Sequence, residues 1–543
     1  MDGGHLVAET LDRADAPGLF TLCGGHVMNI YDGCLDRDIP VIDVRHEQAA
    51  VMAADGVARL TGEPGVAVVT AGPGVTNAMT GFENAKRCDS PVITIGGQGP
   101  LEDIDRGSLQ ESDHLGFVDA ATTWSRRIHD TQRLGEYVER AYRHATSLPM
   151  GPTFLEAPWD VLFGDTATEA PADVRTRPPR SLADPEAIRE AVDVLEAANR
   201  PAIVASGGVR WGEGVREVRD LVELTGIPGF QNGLGRGTFG PDVDDAYHLT
   251  RGSAFKRADA VLSLTMPWDF RTGFGDKVAD DATIIQAAQS GERAGENKAC
   301  DLALVGHTGA ICEQLLAEAK GRSWTRREDW HGTIQGKEAE KMESVRDVPA
   351  AEAGVSAIDL VDHIAPYVED DALFIGDGGN IVATAAKILR PTEPEHWLDT
   401  GPFGCLGVGP PFAIAANVVF DDETPLVLEG DGSFGLNGME IETLARHDMG
   451  AVFVLANDAA WNQIRVPQLQ YYGEERAVAT DLASTRYDEV AEGMGAEGIH
   501  VREEPELPDA LQEAWRIADD GVPVVVNVDV DPNTNAGTGG YPA

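Results

Sequence analysis

Pro425-Leu426-Val427-Leu428-Glu429-Gly430-Asp431-Gly432-Ser433, followed downstream by Ala451-Val452-Phe453-Val454-Leu455-Ala456-Asn457-Asp458, is the stretch from which the rest of the chain is read. Leu426-Val427-Leu428 is an apolar run of the kind that forms a strand buried on both faces of a parallel sheet, and 451–456 is a second. Between them Met439, Ile441, Leu444 and Ala445 recur at helical spacing, so the unit reads strand, helix, strand. Gly430-Asp431-Gly432-Ser433 and Asn457-Asp458 then stand at the carboxyl edge of adjacent strands, where an open α/β sheet presents its ligand crevice. Hard oxygen donors on one edge, with glycines that let backbone amides approach an anion, fit magnesium held by one or two carboxylates and by phosphates. A Gly-Asp-Gly after one strand is often only a tight turn; the second strand end is what makes the pattern a clamp.

The same alternation continues on both sides, which makes the fold class α/β, with three doubly wound parallel-sheet domains. Residues 1–165 read as the first domain, with strands at 18–22, 41–44, 66–70, 92–95 and 153–156. A Pro- and Arg-containing stretch, 170–179, breaks the pattern as a linker. Residues 183–320 form the middle domain. There Asp184 opens a helix with Pro185 at its first position and Glu186 in its first turn, and strands are expected at 202–205, 260–264 and 282–286. From Gly321 the chain is charged and poor in apolar residues, a solvated connector with some helix. The third domain is 350–532, and 533–543 is a polar, Gly-rich tail expected to be loose. The first and third domains share a strand-helix plan without a residue-level repeat.

Of the 543 residues, 43 are Lys or Arg and 90 are Asp or Glu, a formal net charge of −47. Such a surface argues against a nucleic-acid partner. Scarce lysine and acid spread over every segment resemble proteins of a salt-rich, halophilic cytoplasm, where molar salt shortens the Debye length to about 3 Å. The hydrophobic share of 42% argues against a disordered acidic tail. Six scattered cysteines, Cys23, Cys34, Cys88, Cys300, Cys312 and Cys405, read as small buried hydrophobes in a reducing compartment. No apolar run approaches the roughly 20 residues that cross a bilayer, so no membrane partner is expected and the reading is cytoplasmic.

Val41-Ile42-Asp43-Val44-Arg45-His46-Glu47-Gln48-Ala49-Ala50 ends a strand and opens a helix, and Ala71-Gly72-Pro73-Gly74-Val75-Thr76-Asn77 follows the next strand. Together with the Gly430 to Asp458 clamp, these residues resemble the thiamine-diphosphate-dependent family typified by acetolactate synthase, over nearly the whole chain. The resemblance implies a pyrimidine-binding, a middle and a diphosphate-binding domain, with thiamine diphosphate and Mg2+ as cofactors. It makes Glu47 the carboxylate that hydrogen-bonds N1′ of the aminopyrimidine, which makes the 4′-nitrogen basic enough to take the proton from thiazolium C2. Gly72, Pro73 and Asn77 are then cofactor-binding.

By the same resemblance Gly401-Pro402-Phe403-Gly404-Cys405-Leu406-Gly407 cups the bent cofactor, the carbonyl of Gly404 receiving the 4′-amino group and Leu406 wedging between the rings. Many relatives have Met there, and Leu is a volume-conserving exchange. Asp377-Gly378-Gly379-Asn380 resembles a second loop on the diphosphate, which adds Gly379 and Asn380 to Gly430, Asp431, Gly432, Ser433 and Asn457. Relatives generally carry two asparagines at the second strand end and use the latter as the metal ligand. This chain has Asp458 at that place, so the implied ligands are Asp431, Asp458 and the carbonyl of Ala460.

On the substrate side, Gly24-Gly25-His26 resembles the loop over the thiazolium in benzaldehyde lyase, and Leu109-Gln110-Glu111 resembles a run whose glutamine faces the reacting centre. His26 and Gln110 could relay a proton to a developing alkoxide; the bland alternative is a histidine bonded to backbone. Trp461 and Gln463 shape or cover the pocket. In the middle domain, Ala205-Ser206-Gly207-Gly208 and Asp269 to Gly275 stand where relatives hold FAD, CoA or ADP. Ala287-Ala288-Gln289-Ser290 replaces the usual acidic Asp-x-Asp, which weakens the case for a nucleotide there and leaves FAD possible but doubtful.

The resemblance implies a 2-oxo acid decarboxylase and carboligase of the pyruvate-to-acetolactate type, the chemistry of branched-chain amino acid biosynthesis. Its alternatives are a C–C lyase of the benzaldehyde lyase or 2-hydroxyacyl-CoA lyase and oxalyl-CoA decarboxylase type, which Phe434-Gly435 and Met439 to Thr443 resemble, and a non-catalytic cofactor-binding subunit. The partners implied are a small 2-oxo acid or 2-hydroxyacyl substrate and further copies of the chain, a homodimer or homotetramer with active sites between subunits. A nicotinamide dehydrogenase is disfavoured because Gly72-Pro73-Gly74 lacks the third glycine of a dinucleotide turn.

Overall fold

Apolar runs become parallel strands in three separate sheets of the computed structural model, which describes residues 1–536. In the first sheet the spatial order is Val41–Asp43, Leu19–Leu22, Gly65–Val69, Val92–Gln98, Thr153–Pro158 and Trp124–Arg127. In the third it is Trp397–Asp399, Phe374–Asp377, Leu426–Gly430, Ala451–Asn457, Pro523–Asp529 and Glu497–Val501. Both orders run second, first, third, fourth, sixth, fifth strand, so the two outer domains are topological copies. The middle sheet is Leu302–Val305, Thr283–Ala288, Ala260–Leu264, Pro201–Ala205 and Gly229–Gln231. Helices cover both faces of each sheet, the doubly wound α/β arrangement read from the sequence.

Three strands of the first two sheets have no counterpart in the sequence reading: Trp124–Arg127, Gly229–Gln231 and Leu302–Val305. All three are edge strands; Trp124–Arg127 and Gly229–Gln231 lack the continuous apolar run of a central strand, whereas Leu302–Val305 is apolar but only four residues long.

One hydrophobic cluster belongs to both outer domains. It packs the helix Glu47–Thr61 against the helix Gly409–Val419, joining Met52 and Val57 to Phe412 and Val427. The contact is close: a Cβ on Gly56 would lie 2.7 Å from Ala415 Cβ and 3.0 Å from a ring carbon of Phe412. Asp55 and Arg59, both fully buried on this helix, pair at 2.7 Å, and Arg59 Nη1 also donates to Asp399 O at 2.6 Å. Removing either partner of such a buried pair costs about 3–5 kcal/mol, because the other charge is left uncompensated.

Other expectations are sharpened. Asp184 caps the helix Pro185–Ala197 by accepting the Glu186 amide at 2.8 Å. The connector holds a 19-residue helix, Glu328–Arg346, which is tied down by buried Trp330, His331 and Ile334. Of the six free cysteines, Cys34, Cys88 and Cys312 are buried, but Cys23 is exposed. The start of the tail is not loose. Thr534 is fully buried, its hydroxyl donating to Asp531 O at 2.9 Å and accepting the Ala357 amide at 2.9 Å. The rest of the tail, 537–543, lies outside the described residues. Among the described residues no helix is long and apolar enough to cross a membrane.

Candidate active site

The strand Leu426–Gly430 passes without a loop into the helix Asp431–Asn437, so Asp431 is at once strand end and first helical residue. One register step across the sheet, Gly430 faces Ala456, and Asp458 follows the strand Ala451–Asn457 directly. Gly432 is required here, since a Cβ on it would meet the Trp461 ring at 2.6 Å. Ser433 donates from Oγ to Asp377 O at 2.9 Å, and Gly378, at φ +137°, has room for no Cβ against that hydroxyl.

Asp431 is 2% exposed; its Oδ1 accepts the Gly432 amide at 2.9 Å, while Oδ2 is buried with no hydrogen-bond partner among the described residues. Burial, and then the charge of Asp458, push its carboxyl up to about 7. Burial likewise pushes Asp458 up to about 6, against a hydrogen bond from Asn462. Two carboxyls that resist ionisation together call for a cation. Asn380 is also buried, with neither amide atom partnered among the described residues. These groups share a cleft of about 370 Å3 with Gly379, Gly404, Leu406, Ala460 and Trp461. Unpartnered oxygens beside a glycine-lined cleft fit a magnesium-bound diphosphate, and two carboxylates are the usual protein share of such a site.

Asn457 is turned elsewhere: its amide donates to Thr485 O at 2.9 Å and Asn527 Oδ1 at 3.1 Å. Asp377, fully buried and pushed up to about 6 by burial, accepts the amides of Gly407 at 3.1 Å and Gly409 at 2.7 Å, and so holds the loop that carries Leu406. No spacing in the sequence advertises that contact.

The remaining predicted residues gather on the first domain. Glu47, 4% exposed, begins its helix behind the cap His46 and accepts a hydrogen bond from Asn77 Nδ2 at 2.9 Å. Thr70, which the sequence reading passed over, joins the other two: its Oγ1 lies 3.1 Å from His26 Nδ1 and 3.4 Å from Gln110 Oε1. If the single hydroxyl proton goes to Gln110, Thr70 accepts from Nδ1–H and leaves Nε2 of His26 as the basic nitrogen. Burial, with a smaller contribution from His114, holds that imidazole below its ordinary value. Gly72, at φ +58°, is fixed by His114, whose Nε2 accepts its amide at 2.8 Å while Nδ1 faces buried Glu156 at 3.0 Å. Pro73 and Gly25 are exposed.

Glu440, on the helix Glu440–Arg446 after the clamp, links the two groups. Its carboxylate accepts the amides of Arg45 at 3.0 Å and His46 at 3.1 Å, immediately before Glu47. Among the described residues, those lining the clamp cleft nonetheless come from the third domain and the start of the tail, between Gly378 and Asn535, and Glu47 is not among them.

Comparison with known proteins accounts for all three domains. Residues 1–117 match the thiamine pyrophosphate enzyme N-terminal TPP binding domain, 188–315 its central domain and 377–528 its C-terminal TPP binding domain. A probable acetolactate synthase of Mycobacterium bovis is 36% identical over 540 residues, covering 98% of this chain and 96% of that protein. A 2-hydroxyacyl-CoA lyase 2 of Bos taurus is 32% identical over 575 residues, covering 97% and 89%, and the Homo sapiens protein of that name is 31% identical over 575 residues, with the same coverage.

Proposed function

The chain belongs to the thiamine pyrophosphate enzyme family, and on that premise we propose that it is a magnesium-dependent 2-oxo acid decarboxylase and carboligase of the acetolactate synthase type. The observation that carries the cofactor assignment is the buried, unpartnered Oδ2 of Asp431, set beside Asp458 in a cleft of the right chemistry. Thiamine diphosphate, when bound, supplies a carbon nucleophile that adds to a carbonyl and stabilises negative charge after CO2 is lost. Asp431, Asp458 and the Ala460 carbonyl would hold magnesium; Gly430, Gly432, Ser433, Gly379 and Asn380 would hold the diphosphate. Gly404 and Leu406 would set the cofactor's bend. Glu47, steadied by Asn77, would hold a proton at the pyrimidine N1′, and His26, Thr70 and Gln110 would pass one to the oxygen of the reacting carbonyl.

Because the clamp cleft includes nothing from the first domain, Glu47 would reach it from a second copy of the chain. Leu436, Met439 and Phe403, between 44% and 55% exposed beside the clamp and the cup loop, are the apolar surface such a copy would cover. A homodimer, or a homotetramer built from it, follows. The reading leaves FAD in the middle domain open and carries a cytoplasmic, salt-rich setting.

The test is pyruvate turnover by the purified protein in molar KCl with thiamine diphosphate and Mg2+. Acetolactate and CO2 in equal amounts are expected. Inertness to pyruvate together with release of an aldehyde from a 2-hydroxyacyl-CoA would replace this reading with the lyase.

A further inference from the structure

Where the first domain, the linker and the other two domains meet, a second cavity of about 230 Å3 is walled by Arg59, Arg177, Arg180 and Arg210, with Glu213 and Glu395 among them. Four arginines around one hollow run against the grain of a chain whose net charge is −47. Three of them have partners. Arg59 holds Asp55 at 2.7 Å, Arg177 holds Glu63 at 2.9 Å and also Glu213, and Arg180 holds Glu313 at 2.7 Å.

Arg210 does not. Its residue is 5% exposed, and both terminal nitrogens, Nη1 and Nη2, are buried without a hydrogen-bond partner. Its guanidinium sits 5.7 Å from the Trp211 ring, which offers a weak face rather than an acceptor. Burial draws its pKa down to about 10, so it stays cationic at neutral pH, and Glu395 is the foremost opposing charge. A buried guanidinium with idle donors is costly, and its planar fork matches an oxyanion with two acceptor oxygens. The cavity has several times the share of liquid volume of one water, about 30 Å3, so an anion of a few heavy atoms fits.

We propose that this junction cavity is an anion-binding site that takes a compact oxyanion, a phosphate or a small carboxylate, on Nη1 and Nη2 of Arg210. Arg177 and Arg180, both around half exposed, form its entrance. The site lies apart from the clamp and stands whether or not the reaction proposed above is the right one.

The test is calorimetric titration of the full chain, with thiamine diphosphate and Mg2+ present so that the clamp is filled, using inorganic phosphate and, separately, acetate at fixed KCl. One anion per chain is expected to bind, and the tighter of the two identifies the source of the oxyanion. Arg210→Gln should weaken binding by about tenfold or more, the loss expected for hydrogen bonds to a charged group. Glu395→Gln, which removes the competing carboxylate, should tighten it. Equal binding by wild type and Arg210→Gln, or no saturable binding of either anion to wild type, overturns the site. Should Arg210→Gln fail to fold, Glu395→Gln decides alone: unchanged or weaker binding overturns the proposal.

Discussion

The two outer sheets share one strand order, yet their carboxyl edges are finished differently. On the first, Thr70 is engaged by His26 and Gln110, the Gly72 amide by His114, and Glu47 by Asn77. On the third, Asp431 Oδ2 and both amide atoms of Asn380 have no hydrogen-bond partner among the described residues. The difference assigns the work: an edge that satisfies itself holds reactive groups in place before any ligand arrives, whereas an edge with orphaned oxygens is completed by one.

The strongest attack on that contrast is Asp431→Ala, which removes the donor oxygens altogether. Losing an outer-shell partner typically lowers metal affinity 10- to 100-fold, so losing the proposed ligand itself should weaken thiamine diphosphate and Mg2+ retention by more than about a hundredfold. Equilibrium dialysis at fixed KCl measures it, and unaltered retention would mean the open edge is not the anchor. Next comes Glu47→Gln on the self-satisfied edge. Turnover should fall by at least about a hundredfold while cofactor affinity stays within about tenfold, the pattern of a lost proton-transfer group rather than a lost anchor. A binding loss as large as that of Asp431→Ala would erase the distinction between the edges. Asp458→Asn should be milder, a change in magnesium affinity within about tenfold, because an amide oxygen keeps a hard donor in place and removes only charge.

How far these edges were readable from sequence follows the same divide. Central strands such as Leu426–Gly430 and Ala451–Asn457 are buried on both faces, so apolarity alone marks them. Edge strands such as Trp124–Arg127 carry arginine and serine and look like loop. The clamp carboxylates stand at strand ends, and strand ends are legible. Thr70, His114 and Asp377 are legible only in space: His114 meets Gly72 from 42 residues away, and Asp377 meets Gly407 from 30. Nothing local in the sequence predicts such pairs, because the sheet order that brings them together is itself a long-range property.

The smallest readout is a pH slope, and its sign should differ between the edges. Asp431, pushed up to about 7, keeps in the folded metal-free chain a proton that the unfolded chain releases near its ordinary 3.8. Between those values the folded state binds more protons, so the contribution to stability is present at low pH and is lost as pH rises towards 7. Glu156 is the opposite case. Burial pushes it up, but hydrogen bonds from His114 and Arg127 outweigh that and hold it below its ordinary value. Its contribution is present above the unfolded pKa and is lost as pH falls through the folded one. Urea denaturation without metal, from pH 4 to 8 at fixed KCl, separates them. Relative to wild type, Asp431→Asn should gain stability with rising pH, by at most about 1.4 kcal/mol per unit for one proton. Glu156→Gln should lose most at neutral pH and least in acid. Added Mg2+ should flatten only the first of these differences, because the ion binds the ionised carboxylate and offsets the repulsion that burial imposes on it. Slopes of the same sign for both variants would show that the two edges are finished alike.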